Sequence, residues 1–175
     1  MTGSYPSRWL FLRIAVCGAL LITVPRTLSA AGPEPGGTTH DQHVPPIAFH
    51  PANSSAGYVV EAGGLGRLCS TKGAGFYVAR LHLRDGAVIE RITMYVEDTN
   101  RDGLGMLSLA RRGPRSFDVL GLTPVSLGTG EVEALTTTAI SVPVVDNQQG
   151  AYLLQAVLTG PGVCLDDAQV TYRLP

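Results

Sequence analysis

From Tyr58 onward, apolar and polar residues alternate with a period of two. Ile92, Met94 and Val96 alternate with Thr93, Tyr95 and Glu97; Leu81 and Leu83 with His82 and Arg84; Val170, Tyr172 and Leu174 with Gln169, Thr171 and Arg173. This is the pattern of strands that set one face on a core and the other in water. Turn signals divide the region into about eight strands, near 58–62, 75–83, 88–97, 105–112, 117–122, 132–140, 151–158 and 168–174. No segment carries a helical stripe of useful length. Arg84-Asp85-Gly86-Ala87, Asp98 to Gly103 and Arg112-Gly113-Pro114-Arg115 are short connections, which predict antiparallel neighbours. A single sheet of so many half-apolar strands must cover its inner face with another sheet. The expected fold is therefore all-β, a two-layer antiparallel β-sandwich over 58–175. Trp9 is the single tryptophan and precedes this region, so the buried tryptophan of an immunoglobulin domain is missing and a jelly-roll-like topology is favoured.

The N-terminal pattern is different. Arg8 and Arg13 flank the start of an apolar run, Ile14 to Val24, broken by Gly18 and Thr23, and Ser29-Ala30-Ala31 follows. A positive start, an apolar centre too short for a membrane span and small residues at a cleavage site make residues 1–31 a signal peptide. The mature protein is expected to be secreted, periplasmic or extracellular, with no membrane span. Between signal and sandwich, residues 32–57 hold Pro33, Pro35, Pro45, Pro46 and Pro51 with little apolar patterning, and are expected to form an extended linker or arm.

Cleavage removes Arg8, Arg13 and Arg26 from the 13 basic residues and none of the 14 acids, so the mature chain is acidic. Nucleic acid is excluded as a partner, because the sole basic cluster, Arg111, Arg112 and Arg115, lies around one turn and reads as a solvated loop. Cys17 leaves with the signal; Val16 before it disfavours a lipid anchor. Cys69 and Cys164 remain, and in an oxidising compartment they are expected to form one disulfide.

Chemistry-bearing motifs are few. Asp98-Thr99-Asn100-Arg101-Asp102-Gly103 matches the start of a calcium loop, with Asp98, Asn100 and Asp102 as ligands. Position twelve is Leu109 instead of glutamate, and the same residue types make a tight hairpin turn, so the turn is favoured and a weak calcium site is the alternative. No other cofactor is expected. His40 and His43 could present two imidazoles to zinc or copper, but that spacing works on a helix and the prolines argue against one. No serine sits in a G-x-S-x-G elbow, and no catalytic residue is assigned. Adjacent acids at Glu97/Asp98 and Asp166/Asp167 point to opposite faces of a regular strand and cannot act as pairs. Glu131 and Glu133 share a face but read as solvated. Gly63-Gly64-Leu65-Gly66 precedes no helix and is read as a loop.

Phe76-Tyr77-Val78-Ala79-Arg80-Leu81-His82-Leu83-Arg84-Asp85-Gly86-Ala87-Val88-Ile89, followed by Met94-Tyr95-Val96-Glu97-Asp98, resembles a domain recurring in uncharacterised exported bacterial proteins. In that family an apolar strand, a Leu-Pro-x-Gly-Ala turn, a Val/Ile-rich strand and a Tyr-x-x-Asp ending follow one another. Val144-Val145-Asp146-Asn147 before Ala151-Tyr152-Leu153, and the strand from Cys164 to Tyr172, are similar to its second half. Arg84-Asp85 replaces the usual proline-containing turn. The resemblance implies an exported β-sandwich and transfers no catalytic residue. The function expected first is a non-catalytic structural or protein-binding module, with a protein or glycan partner at the cell envelope. A carbohydrate-binding module is the alternative; it would want exposed aromatics, of which Tyr95 faces outward. A hydrolase assembled from separated loops comes last.

Overall fold

The computed structural model describes residues 37–61 and 66–175. The signal peptide of 1–31 lies outside them, as do the first residues of the arm and most of the glycine run. The described residues form eleven strands in two antiparallel sheets, a jelly-roll β-sandwich. In the larger sheet β3 (Tyr58–Val60), β4 (Leu68–Ser70), β11 (Val163–Arg173), β6 (Val88–Asp98) and β9 (Val132–Thr137) lie side by side, and β1 (Thr39–Val44) joins β11 beyond β4. The smaller sheet runs β2 (His50–Pro51), β5 (Ala74–Arg80), β10 (Ala151–Thr159), β7 (Leu104–Arg112) and β8 (Phe117–Leu122).

The period of two carries through to burial. Ile92, Met94 and Val96 are fully buried, as are Leu107 and Leu109 on β7 and Leu154, Ala156 and Leu158 on β10. Two tyrosines, Tyr77 and Tyr152, are buried among them. Each polar tip finds a partner, as a buried hydroxyl must: the Tyr77 hydroxyl donates to the Gly57 carbonyl, and the Tyr152 hydroxyl accepts from the Asp146 amide at 3.0 Å.

The short connections do something other than the pattern predicts. Only Arg112 to Arg115 joins neighbouring strands, β7 and β8. Arg84 to Ala87 leads from β5 in the smaller sheet to β6 in the larger, and Asp98 to Gly103 leads from β6 back to β7. Packed sheets stand about 10 Å apart, a gap that four to six residues span, so a short loop is compatible with an arch as well as a hairpin.

Residues 39–51, inside the segment read as an extended arm, are part of the sandwich. β1 pairs with β11 over six positions, from Thr39 opposite Arg173 to Val44 opposite Ala168, and β2 caps β5. Val44 and Phe49 reach the core at 4% and 3% exposure. The prolines sit where they cost no ladder bond, at the start of a short 3-10 turn (Pro46–Ala48) and at the end of β2. On β1, His40 and His43 project to opposite faces: His40 stacks on Tyr172 at 5.7 Å, and His43 Nδ1 lies 2.6 Å from Asp167 Oδ2. They do not converge on a metal.

Cys69 and Cys164 are bonded, directly opposite one another on β4 and β11. β4 is too short, at three residues, to have shown a period of its own. The bridge closes a loop of 95 residues, worth roughly 4 to 5 kcal/mol on the chain-entropy model.

Phe49→Ala tests the integration of the arm. A tethered arm would tolerate it, whereas a core residue should cost about 3–5 kcal/mol in a urea melt.

Candidate functional site

A cleft of about 520 Å³ opens at one end of the sandwich, between the β5–β6 and β9–β10 connections. Alternation past the end of β5 builds one wall: Leu81 and Leu83 are buried, leaving Arg80, His82 and Arg84 exposed. The pairing continues one step further through the Leu81 amide, which donates to the Tyr152 carbonyl at 2.9 Å. Gly86, at φ +77°, turns the chain, and its amide donates to the Val145 carbonyl at 2.8 Å.

The opposite wall is held to the first by Asn147. Its backbone amide donates to Asp85 Oδ1 at 2.8 Å and its side-chain amide to the Leu83 carbonyl at 3.1 Å. Asp146 shapes the loop by accepting from the Gln148 amide at 2.9 Å and from Gln149 Nε2 at 2.7 Å. Arg111 donates to Gln149 Oε1 at 2.6 Å and to Asp118 at 3.2 Å, which ties the β7–β8 hairpin to the same loop. The lining, which includes Arg80, His82, Arg84, Asn147 and Tyr152, is rich in hydrogen-bond donors and contains no carboxylate, thiol or serine.

The outer face of the larger sheet is a second polar surface. The Tyr95 hydroxyl donates to Gln169 Oε1 at 3.3 Å, and Thr171 links Arg91 to Asp41. Both Asp166 and Asp167 serve this face, contrary to strand parity. A register shift between Leu165 and Asp167 makes Asp166 the extra residue of a bulge, so Asp167 reaches His43 while Asp166 lies 3.8 Å from Arg67 Nε. Arg67 also binds Glu61 and Glu97, gathering three acids distant in the sequence. Burial raises the Asp166 carboxyl above the ordinary aspartate range, against the lowering effect of Arg67 and with a further push from Glu61.

Exposed aromatics do not form a row among the described residues. Tyr77 and Tyr152 are buried, Tyr58 meets Tyr77 edge-on, and Phe76 and Phe117 lie on the outer face of the smaller sheet, away from Tyr95.

The loop from Asp98 to Gly103 is stitched together by its own side chains. Asp98 is fully buried; it accepts from the Asn100 amide at 3.0 Å and from the Ser126 hydroxyl, and Asn100 Oδ1 accepts from the Asp102 amide at 3.0 Å. Asp102 itself is exposed. Among the described residues, no group of three or more His, Cys, Asp or Glu is placed to hold a metal. Gly103 is required by space and not by a left-handed backbone: a Cβ there would stand 2.7 Å from the Thr159 carbonyl oxygen.

No family model and no curated protein matches the chain. Solved structures do. The chain is similar to the C-terminal family 6 carbohydrate-binding module of LamC, a marine laminarinase from Zobellia galactanivorans, with 12% identity, a TM-score of 0.53, and 75% of this chain covering 99% of that one. It is also similar to the CBM22-1 and GH10 modules of xylanase 10B from Clostridium thermocellum, complexed with xylohexaose, with 13% identity, a TM-score of 0.50, and coverage of 75% and 27%. A family 6 module from Clostridium stercorarium in complex with cellobiose gives 15% identity, a TM-score of 0.47, and coverage of 73% and 90%. At such identities the likeness is one of fold: this is a jelly-roll sandwich of the kind seen in carbohydrate-binding modules. Of the resemblance to exported bacterial domains, the β-sandwich fold is what the structure bears out.

Two measurements check this description. Asp98→Ala strands the Ser126 hydroxyl and the Asn100 amide, and should cost about 1–3 kcal/mol equally with calcium or chelator; a calcium-dependent rise in Tm seen in wild type and absent from Asp102→Ala would instead make the loop a metal site. Because the fold holds the Asp166 proton more tightly than the unfolded chain, this group favours folding at low pH, and that contribution is lost as pH rises through the raised folded value. Asp166→Asn should therefore raise the Tm at pH 7 by more than at pH 4.

Proposed function

We propose that this chain is a carbohydrate-binding module and that the end cleft is its site. The observation carrying the reading is the cleft itself, an open cavity walled by hydrogen-bond donors with the buried Tyr152 at its base. Sugars offer closely spaced hydroxyls that accept such donors, and a concave site with a few convergent polar groups is the usual form of a ligand pocket. The sandwich supports the reading, since the similar LamC structure is a family 6 carbohydrate-binding module and the similar xylanase modules, CBM22-1 with GH10, are complexed with xylohexaose. A lining without carboxylate or serine favours binding over hydrolysis, which wants paired carboxylates or an activated nucleophile. The disulfide fits an oxidising, extracytoplasmic compartment. No helix among the described residues is long and apolar enough to cross a membrane.

A protein-binding role retains one observation in its favour. Phe117, Val119 and Leu122 on edge strand β8 are 49%, 55% and 49% exposed, and with Met106, Val157 and Phe76 they make the outer face of the smaller sheet apolar. Exposed apolar sheet faces beside an edge strand favour association with a second copy of the chain.

Titration of the exported protein with a glycan panel, alongside its native mass, separates the two. A module of the proposed kind binds at least one polysaccharide, His82→Ala weakens that binding about three- to tenfold, and Tyr95→Ala leaves it unchanged. If Tyr95→Ala abolishes binding and His82→Ala does not, the site is on the larger sheet. If no glycan binds and a dimer is found that Val119→Lys dissociates, the protein-binding reading replaces this one.

A further inference from the structure

The cleft lies at the basic end of an acidic chain. Arg80, His82 and Arg84 stand at alternate positions of one extended run, so their side chains repeat about every 7 Å. Arg112, opposite Ala151 of the cleft lining, and Arg115 in the β7–β8 turn stand at the same end. Arg80, Arg84, Arg112 and Arg115 are exposed, and none is ion-paired among the described residues, in contrast to Arg111 with its Asp118. The carboxylates at this end have their own partners: Asp85 the Asn147 amide, Asp146 Gln148 and Gln149, Asp118 Arg111, and Glu90 Arg173. Asp98, Asp102, Glu131 and Glu133 lie at the opposite end, where Glu97 pairs with Val132 and Asp98 with Val163.

Resting on the glycan-binding reading, we infer that the cleft selects anionic polysaccharide, with repeated carboxylate or sulfate groups held by Arg80, Arg84 and Arg112. A planar guanidinium meets either group through two parallel N–H bonds, so the two chemistries share one recognition mode. Cations in a line suit a polymer with repeated charges; a small free anion would want them converging on a point. Placing uncommitted cations at one end of a chain that is acidic overall orients such a polymer toward the cleft and repels it from the rest of the surface.

Calorimetric titration of the exported, disulfide-bonded chain with polygalacturonate, dextran sulfate, neutral laminarin and xylan, and duplex DNA tests the inference. One or both anionic polysaccharides should bind, and affinity should fall about tenfold or more between roughly 0.05 and 0.5 M salt. Polygalacturonate alone would name a uronate, dextran sulfate alone a sulfate ester; either supports the inference. The double variant Arg80→Gln, Arg84→Gln should lose about tenfold or more, while Arg101→Gln, exposed at the opposite end, should match wild type. If the double variant melts early, Arg112→Gln alone should still weaken binding. Neutral glycans bound as tightly as anionic ones, without salt dependence, would overturn the inference and leave the glycan reading standing. Silence across every polysaccharide would remove both. Tighter binding to DNA, or an equal loss in Arg101→Gln, would reduce the effect to unspecific charge and overturn the inference.

Discussion

Two sheets that each carry a continuous apolar face must press those faces together, and the consequences of that contact run through the molecule. Ile92, Met94, Val96, Leu165 and Val170 come from one layer, and Tyr77, Leu107, Leu109, Leu154 and Leu158 from the other. Beyond β5 the chain changes sheet at almost every connection, the β7–β8 hairpin being the exception. Irregular backbone is thereby gathered at the two ends of the sandwich, where loops from distant parts of the sequence meet. The cleft is one product of that arrangement: its two walls join residues more than sixty positions apart, and Asn147 closes the gap with two hydrogen bonds.

β11 shows how a single strand serves several purposes at once. Its inner face supplies Val163, Leu165, Ala168 and Val170 to the core, while its edges carry β6 on one side and β4 and β1 on the other. The bulge at Asp166 keeps the core register on both sides of it while turning two neighbouring acids outward. Arg67 offsets the repulsion this would create, and the disulfide pins β4 beside it. A polar, cross-linked outer face on this sheet contrasts with the apolar outer face of the other, so the two sides of the sandwich offer different surfaces to a partner.

The distribution of charge follows from where loops end up. Ion pairs such as Arg67 with Glu61 and Glu97, and Arg111 with Asp118, are local and partly exposed, and such pairs add little to stability. At the cleft end, the Arg111 pair leaves Arg80, Arg84, Arg112 and Arg115 without an ion-pair partner among the described residues.

All the strands expected from the period of two are present, since alternation is a local consequence of half burial and survives whatever the strand pairs with. β1, β2 and β4 were illegible: β2 and β4 carry too few residues for a period, β1 is polar at every position but Val44, and each takes strand form by docking on β5 or β11. The disulfide was legible by elimination among few thiols, and the outward row of His82 and Arg84 by parity. Two things were not: that Arg84 to Ala87 and Asp98 to Gly103 arch between layers, and that the 146–149 loop closes over the row to make a cleft. Alternation determines which face of a strand is buried and so the class of fold; which strands become neighbours depends on long-range packing free energy, and the site was decided only there, since its walls meet through contacts that no stretch of sequence contains.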